Sequence, residues 1–298
     1  MVEWEPVNVI MTALSVEHAA VLEHLVDVRP HRHRSGTVFD VGTVAGHPGH
    51  RVALVETGMG TTAAATLTER AHAEFAPEAM VFVGVAGGLR DWLVIGDVVV
   101  ATKIYSYQGG RSEDDEFLVR PSAWSVAHRL DQEARRLLRG NAWHSFLPDS
   151  VEDDAPVAYF EAIAVGDVVL NSRVSELARR LRTSYNDAVA VDMESSGFAH
   201  AAHLGDQARA VAVRGISDFA DGGKAAADRK GGQLLAARNA AAFAIALITA
   251  LEPDESVPVD EEPSSTGSLV VHSTNTARDN ARVGQQIGLN LGPGRRLR

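Results

Sequence analysis

The chain has 298 residues, 45% of them hydrophobic, enough for one large domain or two ordinary ones with a sizeable core. Its formal net charge of -11 argues against nucleic acid as the main partner, because phosphate binding needs a basic face. With no cysteine, disulfides, thiolate catalysis and zinc–thiolate sites are excluded.

In chain order, the N-terminal Met1-Val2-Glu3-Trp4-Glu5 is acidic and lacks the basic-then-apolar order of a signal peptide. Strand-length apolar runs follow at Val7–Leu14, Val52–Val55, Met80–Val85, Asp97–Ala101, Ala162–Val165, Ala188–Val191 and Ala210–Val213. Most are near-continuous and rich in valine, as strands buried on both faces should be. Helices are predicted between several of them, at Val16–Leu25, Thr61–Phe75, Ser122–Leu138 and Arg173–Leu181, with a last helix over Gly232–Leu251. The longest candidate membrane stretch, Ala240–Leu251, is too short to span a bilayer. A cytoplasmic protein with no membrane partner is expected.

Strands alternating with helices indicate an α/β fold with a largely parallel central sheet. One domain is placed at residues 6–252. Residues 253–267 are acidic, proline-containing and poor in apolar side chains, the composition of a disordered linker. Residues 268–298 interleave Asn275, Asn280, Gln285, Gln286 and Asn290 with Val283, Ile287, Leu289 and several glycines.

Two short segments carry carboxylates at element junctions, where a side chain can be aimed into a cleft. Val191-Asp192-Met193-Glu194 leads into the small residues Ser195-Ser196-Gly197-Phe198-Ala199, which let a helix pack closely. Arg214-Gly215-Ile216-Ser217-Asp218 follows the strand Ala210–Val213, read as bounded by Gly215. In open parallel sheets, ligands bind just beyond the carboxyl ends of the strands. Gly84-Val85-Ala86-Gly87-Gly88 reads either as a tight strand–helix turn or as backbone that can approach a ligand without Cβ obstruction. An isolated aspartate after a strand reads equally as a helix cap, and Asp192 has its simplest role as a charge at a helix N-terminus. The histidines show no His-Glu-x-x-His pattern, and no metal or cofactor is called for.

Six segments in one order change the weight of each. They are Met11–Glu17, Gly58-Met59-Gly60, Gly84–Gly88, Gly166–Asn171, Asp192–Glu194 and Arg214–Asp218. Together they resemble the nucleoside phosphorylase superfamily, most of all its hydrolytic branch, typified by 5′-methylthioadenosine/S-adenosylhomocysteine nucleosidase. The resemblance covers roughly residues 6–250. It implies a three-layer α/β/α sandwich around a mostly parallel, partly barrel-like sheet, and an oligomer of two or more copies. It also implies hydrolysis of the N-glycosidic bond of an adenine nucleoside or nucleotide. Such a reaction needs an acid for the departing base and stabilisation of a cationic sugar. By resemblance, Asp218 is that acid at the purine N7 edge, Glu194 accepts from the ribose hydroxyls, and Met193 lies against the sugar. Glu17 activates water, Arg214 helps to hold it, and Gly87 and Ser217 belong to the substrate pocket.

The chain departs from that pattern in two places. Val85 stands where the methylthioadenosine enzymes have a serine, and Val169 where they have a ring that stacks on the base. Phe160, Phe219, Tyr105 and Tyr107 are the candidate replacements for that ring. A carboxylate at Glu17 beside phosphate would be repulsive, which favours hydrolysis over phosphorolysis. A non-catalytic nucleotide-sensing scaffold is the third reading.

The stretch Tyr105–Pro121 resembles an insert of nucleosidase domains attached to immune receptors. There Arg111 and Arg120 read either as contacts for a 5′-phosphate chain or as solvated charges. His31-Arg32-His33-Arg34 has the same two readings, of which solvated surface charges are preferred. Ala277–Gly288 resembles bacterial amyloid-signalling motifs, which implies a receptor partner through residues 270–298 and an antiphage effector role; a plain disordered tail is the other reading.

Overall fold

A computed structural model describes residues 7–148, 155–205 and 209–251, which lie within one compact unit, Met1–Asp254. The linker at 253–267, the tail at 268–298, the acidic N-terminus and Glu152-Asp153-Asp154 fall outside the described residues.

The valine-rich runs form the centre of the molecule. β1 (Val7–Thr12) pairs in parallel with β4 (His47–Glu56) and β5 (Met80–Gly88). β5 in turn runs parallel to β12 (Ala210–Asp218), which lies antiparallel to β6 (Val98–Ser106). β6 and β10 (Ala158–Val165), and β10 and β11 (Ala188–Asp192), are parallel pairs. β11 then returns antiparallel onto the far end of β5, through Ala190–Gly88 and Val191–Gly87. This last pairing closes β5, β12, β6, β10 and β11 into a ring, the partly barrel-like sheet that the resemblance implied.

Alternation along the strands sorts the side chains into two cores. Val81, Val83, Val98, Val100, Val211 and Val213 face α1 (Ser15–Leu22), α3 (His128–Gly140) and α7 (Gly232–Ala250). Met80, Phe82, Val99, Ala212 and Ile216 face α2 (Thr61–Phe75) and α5 (Ser195–Leu204). The three layers are therefore helix, sheet, helix.

Several boundaries differ from those predicted. β5 and β12 run on through Gly84–Gly88 and Arg214–Asp218, so neither glycine segment is a turn and Gly215 does not end its strand. Gly215 is instead where α7 rests on the sheet: a Cβ there would stand 2.0 Å from the Ala236 carbonyl oxygen. The helix expected at Ser122–Leu138 divides, because Ser122–Ser125 forms β9 antiparallel to the end of β6 and the helix starts only at His128. Leu25 leaves the first helix to begin β2 (Leu25–Arg32), which pairs with β3 (Val38–Val44). α4 spans Glu176–Ser184, with the Ser175 hydroxyl accepting from the Ala178 N–H. Residues Gly110–Ser112 (β7) and Phe117–Val119 (β8) make a separate two-stranded ribbon. α7 as a whole is 19 residues long and apolar enough to cross a membrane, but Ala236–Ile248 is almost entirely core, packed on β12, α1 and β5.

The helix–sheet contact at Gly215 is a direct stability test. Gly215→Ala is expected to lower the unfolding free energy by about 2 kcal/mol or more. Gly49→Ala, which meets open space, serves as the control with a change within about 0.5 kcal/mol. Urea titrations of the two variants measure the difference.

Candidate active site

A cleft of about 240 Å³ opens where β5, β11 and β12 end and the chain leaves β1. Its walls come from four places: Ala13, Leu14 and Glu17 after β1, Val85–Gly87 on β5, Val191–Glu194 at and just past the end of β11, and Ser217 and Asp218 on β12. Met59 and Val168–Leu170 complete the rim, with Lys224 and Gln233 at the mouth. The residue 168–170 wall is fixed from behind, since Asp167 accepts from the Thr61 N–H and hydroxyl at the start of α2, each 3.0 Å away.

Beneath the floor lies an ion pair with no solvent contact. Arg214 Nε donates to Asp192 Oδ2 at 2.6 Å, with the two side chains 0% and 1% exposed. Ser195 completes the arrangement: its hydroxyl donates to Asp192 Oδ2 and accepts from Arg214 Nη2 at 2.8 Å. Asp192 Oδ1 also accepts from the Glu194 and Ser195 N–H groups, so it caps the turn into α5 as well as pairing with the arginine. The guanidinium lies 4.5 Å over the Phe82 ring, a cation–π contact. One donor, Nη1, is buried and has no hydrogen-bond partner.

That orphan donor points to where Glu17 also arrives. A Cβ on Gly84 would stand 1.9 Å from Arg214 Nη1 and 2.8 Å from Glu17 Oε1, so the two groups meet over a residue with no side chain. Glu17 itself is 2% exposed. Its Oε2 accepts from the Ala13 and Leu14 N–H groups at 2.8 and 2.9 Å, and its Oε1 from the Val85 N–H at 2.9 Å. Burial raises its pKa above the ordinary carboxylate range, outweighing the opposing charge of Arg214 and the three N–H donors. Glu194 accepts from the Gly60 N–H at 3.0 Å. Burial and the neighbouring Asp192 charge push its pKa up to about 7. On the facing wall, Asp218 Oδ1 accepts from the Ala220 N–H at 2.9 Å. Its Oδ2 accepts from the Ser217 hydroxyl at 3.1 Å and from Lys224 Nζ at 3.0 Å.

The structure thus brings Glu17, Val85, Gly87, Val169, Met193, Glu194, Ser217 and Asp218 together around one cleft, with Arg214 directly behind it. It does not bring Phe219, Arg111 or Arg120 there. Phe219, one residue past the end of β12, lines a neighbouring cavity with Arg90, Arg173 and Tyr185. Arg111 sits on the exposed β7–β8 ribbon, paired with Glu113 at 2.9 Å, and Arg120 is exposed just beyond that ribbon. The other proposed stacking rings are elsewhere too. Phe160 lies under Arg135, Tyr105 against Tyr185, and Tyr107 is buried under Gly166. No aromatic ring lines the cleft among the described residues. His31 and His33 both turn onto Glu74 and are largely covered, their side chains 24% and 12% exposed, rather than forming the solvated cluster expected. Among the described residues no group of three His, Asp or Glu side chains is placed to hold a metal ion.

Lys224, Gln233 and the Gly60 N–H are the site groups that sequence reasoning missed. The only local signal for Lys224 was the turn Asp221-Gly222-Gly223 before it.

Glu194 gives the site a measurable pH signature. A carboxyl that binds its proton more tightly when folded makes the folded chain less stable as pH rises from about 4.5 to about 7. Glu194→Gln is expected to remove its share of that slope, on the order of 3 kcal/mol. Glu17 shifts in the same direction, so part of the slope remains. Denaturant titrations at the two ends of the window measure the change.

Comparison with known proteins agrees with this geometry. Residues 8–250 match the model of the phosphorylase superfamily. The chain is 26% identical over 238 residues to the ATP nucleosidase Cap17 of Escherichia coli (strain KTE188), a match covering 74% of this chain and 47% of that protein. It therefore spans about half the length of that relative. It is 28% identical over 179 residues to a 5′-methylthioadenosine/S-adenosylhomocysteine nucleosidase of Glaesserella parasuis, covering 57% of this chain and 69% of the relative. The crystal structure of such a nucleosidase from Colwellia psychrerythraea, in complex with adenine, superposes with a TM-score of 0.70 at 23% identity, over 83% of this chain and 96% of that one. The family match spans most of the chain and every wall of the cleft: the protein belongs to the phosphorylase superfamily.

Proposed function

We propose that the chain is an N-ribohydrolase that releases adenine from an adenine nucleoside or nucleotide. The observation that carries this reading is the convergence of Glu17 and Asp218 on one cleft, with the unpartnered Arg214 Nη1 beside Glu17. Arg214 helps to hold the water, Glu17 deprotonates it, and Asp218 serves as the acid for the base. A general base and a general acid on opposite sides of a scissile bond suit direct displacement by water. Glu194 accepts from the ribose hydroxyls, with Met193 against the sugar.

The relatives named above support adenine as the base, since their names refer to ATP and to methylthioadenosine. Phosphorolysis fits less well. Among the described residues lining the cleft, Lys224 is the only cation, while Glu17, Asp192, Glu194 and Asp218 supply four carboxylates. We further propose a cytoplasmic antiphage effector that depletes a nucleotide pool; the likeness to an ATP nucleosidase supports only the nucleotide as a substrate. Assembly into an oligomer and a receptor contact through residues 270–298 belong to the same proposal.

Asp218→Asn and Glu17→Gln are each expected to lower kcat for adenine release by on the order of 10²–10⁴. Circular dichroism of both variants should match the parent. Chromatographic quantification of free adenine checks the prediction, and parental rates in either variant would contradict the assignment.

A further inference from the structure

If Asp218 is the acid, its hydrogen bonds raise a difficulty. It accepts from three donors, the Ala220 N–H, the Ser217 hydroxyl and Lys224 Nζ. A carboxylate engaged only as an acceptor holds no proton to give. The departing base still needs one, and of the three donors only the ammonium is acidic enough to give a proton up.

We propose that Lys224 is the positioning residue that supplies, through Asp218, the proton passed to the leaving adenine. This rests on the hydrolytic reading above. As the C1′–N9 bond breaks, its electron pair enters the adenine ring. One proton moves from Lys224 Nζ to Asp218 Oδ2, and one from Asp218 to N7. The attacking water bonds to C1′ through oxygen and gives its proton to Glu17. Lys224 is left as a neutral amine and Glu17 as the acid, and exchange with solvent restores both. The net change is nucleoside plus water to ribose and adenine.

The placement of Lys224 suits this role. Its side chain is 34% exposed, against 5% for Asp218, so the amine can regain a proton at the mouth while the acid stays dry. The groups around it leave Asp218 as its ion-pair partner: Asp221 turns its carboxylate onto the Gly223 N–H, Gln233 from α7 is uncharged, and Arg214 is paired with Asp192. Lys224 opens α6 (Lys224–Arg229), a helix with no buried residue that lies between Gly222 and Gly231, both at positive φ. Its stem therefore adds little to the core, and substitution there probes the reaction rather than the fold.

The test uses the full chain and the nucleoside that the parent cleaves fastest. Lys224→Ala is expected to lower kcat about 10–100-fold with KM within about threefold and an unchanged melting temperature. Ethylammonium added to the buffer should restore part of the rate, whereas guanidinium should not. Lys224→Arg is the decisive variant, because a guanidinium can hold the carboxylate but does not release a proton. It should be as slow as Lys224→Ala. Parental kcat in Lys224→Arg would overturn the relay and leave hydrolysis intact, as would parental kcat in Lys224→Ala. A parent enzyme that releases no adenine from any nucleoside would instead remove the functional reading and the relay together.

Discussion

The site is organised around the buried Arg214–Asp192 pair. Removing two charges from water costs several kcal/mol per ion in real proteins, recovered only if their remaining hydrogen-bonding groups are satisfied. Here Ser195, the N–H groups of residues 194 and 195 and the Phe82 ring satisfy nearly all of them. The pair therefore dictates where β11, β12 and the start of α5 stand relative to one another. The Glu194 and Asp218 carboxylates project from the ends of those same strands, so their separation is inherited from the pair. The one unsatisfied donor, Nη1, is left at the place where Glu17 crosses from β1. Buried polar groups without partners are uncommon, and one at a cleft wall is what a site prepared for a small polar ligand leaves open.

The cleft combines a strongly acidic floor with an apolar rim. Glu17 and Glu194 both bind their protons more tightly than ordinary carboxyls: burial raises Glu17, and burial together with the Asp192 charge raises Glu194. A base that titrates nearer neutrality is better matched to removing a proton from water than an ordinary exposed carboxylate. The rim carries Met59, Val168 and Val169 in partly open positions. No aromatic ring lines the cleft among the described residues, so the proposed function has to hold its base without the stacking that a ring would supply.

Much of the fold was legible because parallel strands buried on both faces leave near-continuous valine runs, as at Val98–Ala101 and Ala210–Val213. β2 and β3 were not, since a strand such as Leu25–Arg32, exposed at Val26–Pro30 and carrying Asp27, Arg29 and Pro30, looks like loop. The glycine segments misled for a related reason: Gly84 and Gly215 are strand residues whose missing side chains make room for Arg214 and for α7, which local turn chemistry does not reveal. At the site, Glu17, Glu194, Arg214 and Asp218 were legible only as a set in order, and no single one stood out from an ordinary cap or surface acid. Phe219 was misjudged because it lies just past the end of β12, where the chain turns at the left-handed Ala220 and the ring enters the neighbouring cavity. Lys224 was invisible because its contact with Asp218 is made by a glycine-jointed loop that no periodicity describes.

The central claim is that these residues cleave a glycosidic bond with water. The most direct measurement is a product balance: the purified chain incubated with adenosine, methylthioadenosine, AMP and ATP, with and without phosphate, and assayed for adenine and for the sugar product. The account predicts adenine and free reducing sugar in equal amounts in phosphate-free buffer from at least one of them. A sugar phosphate formed only when phosphate is added, or no adenine from any of the four, would contradict it.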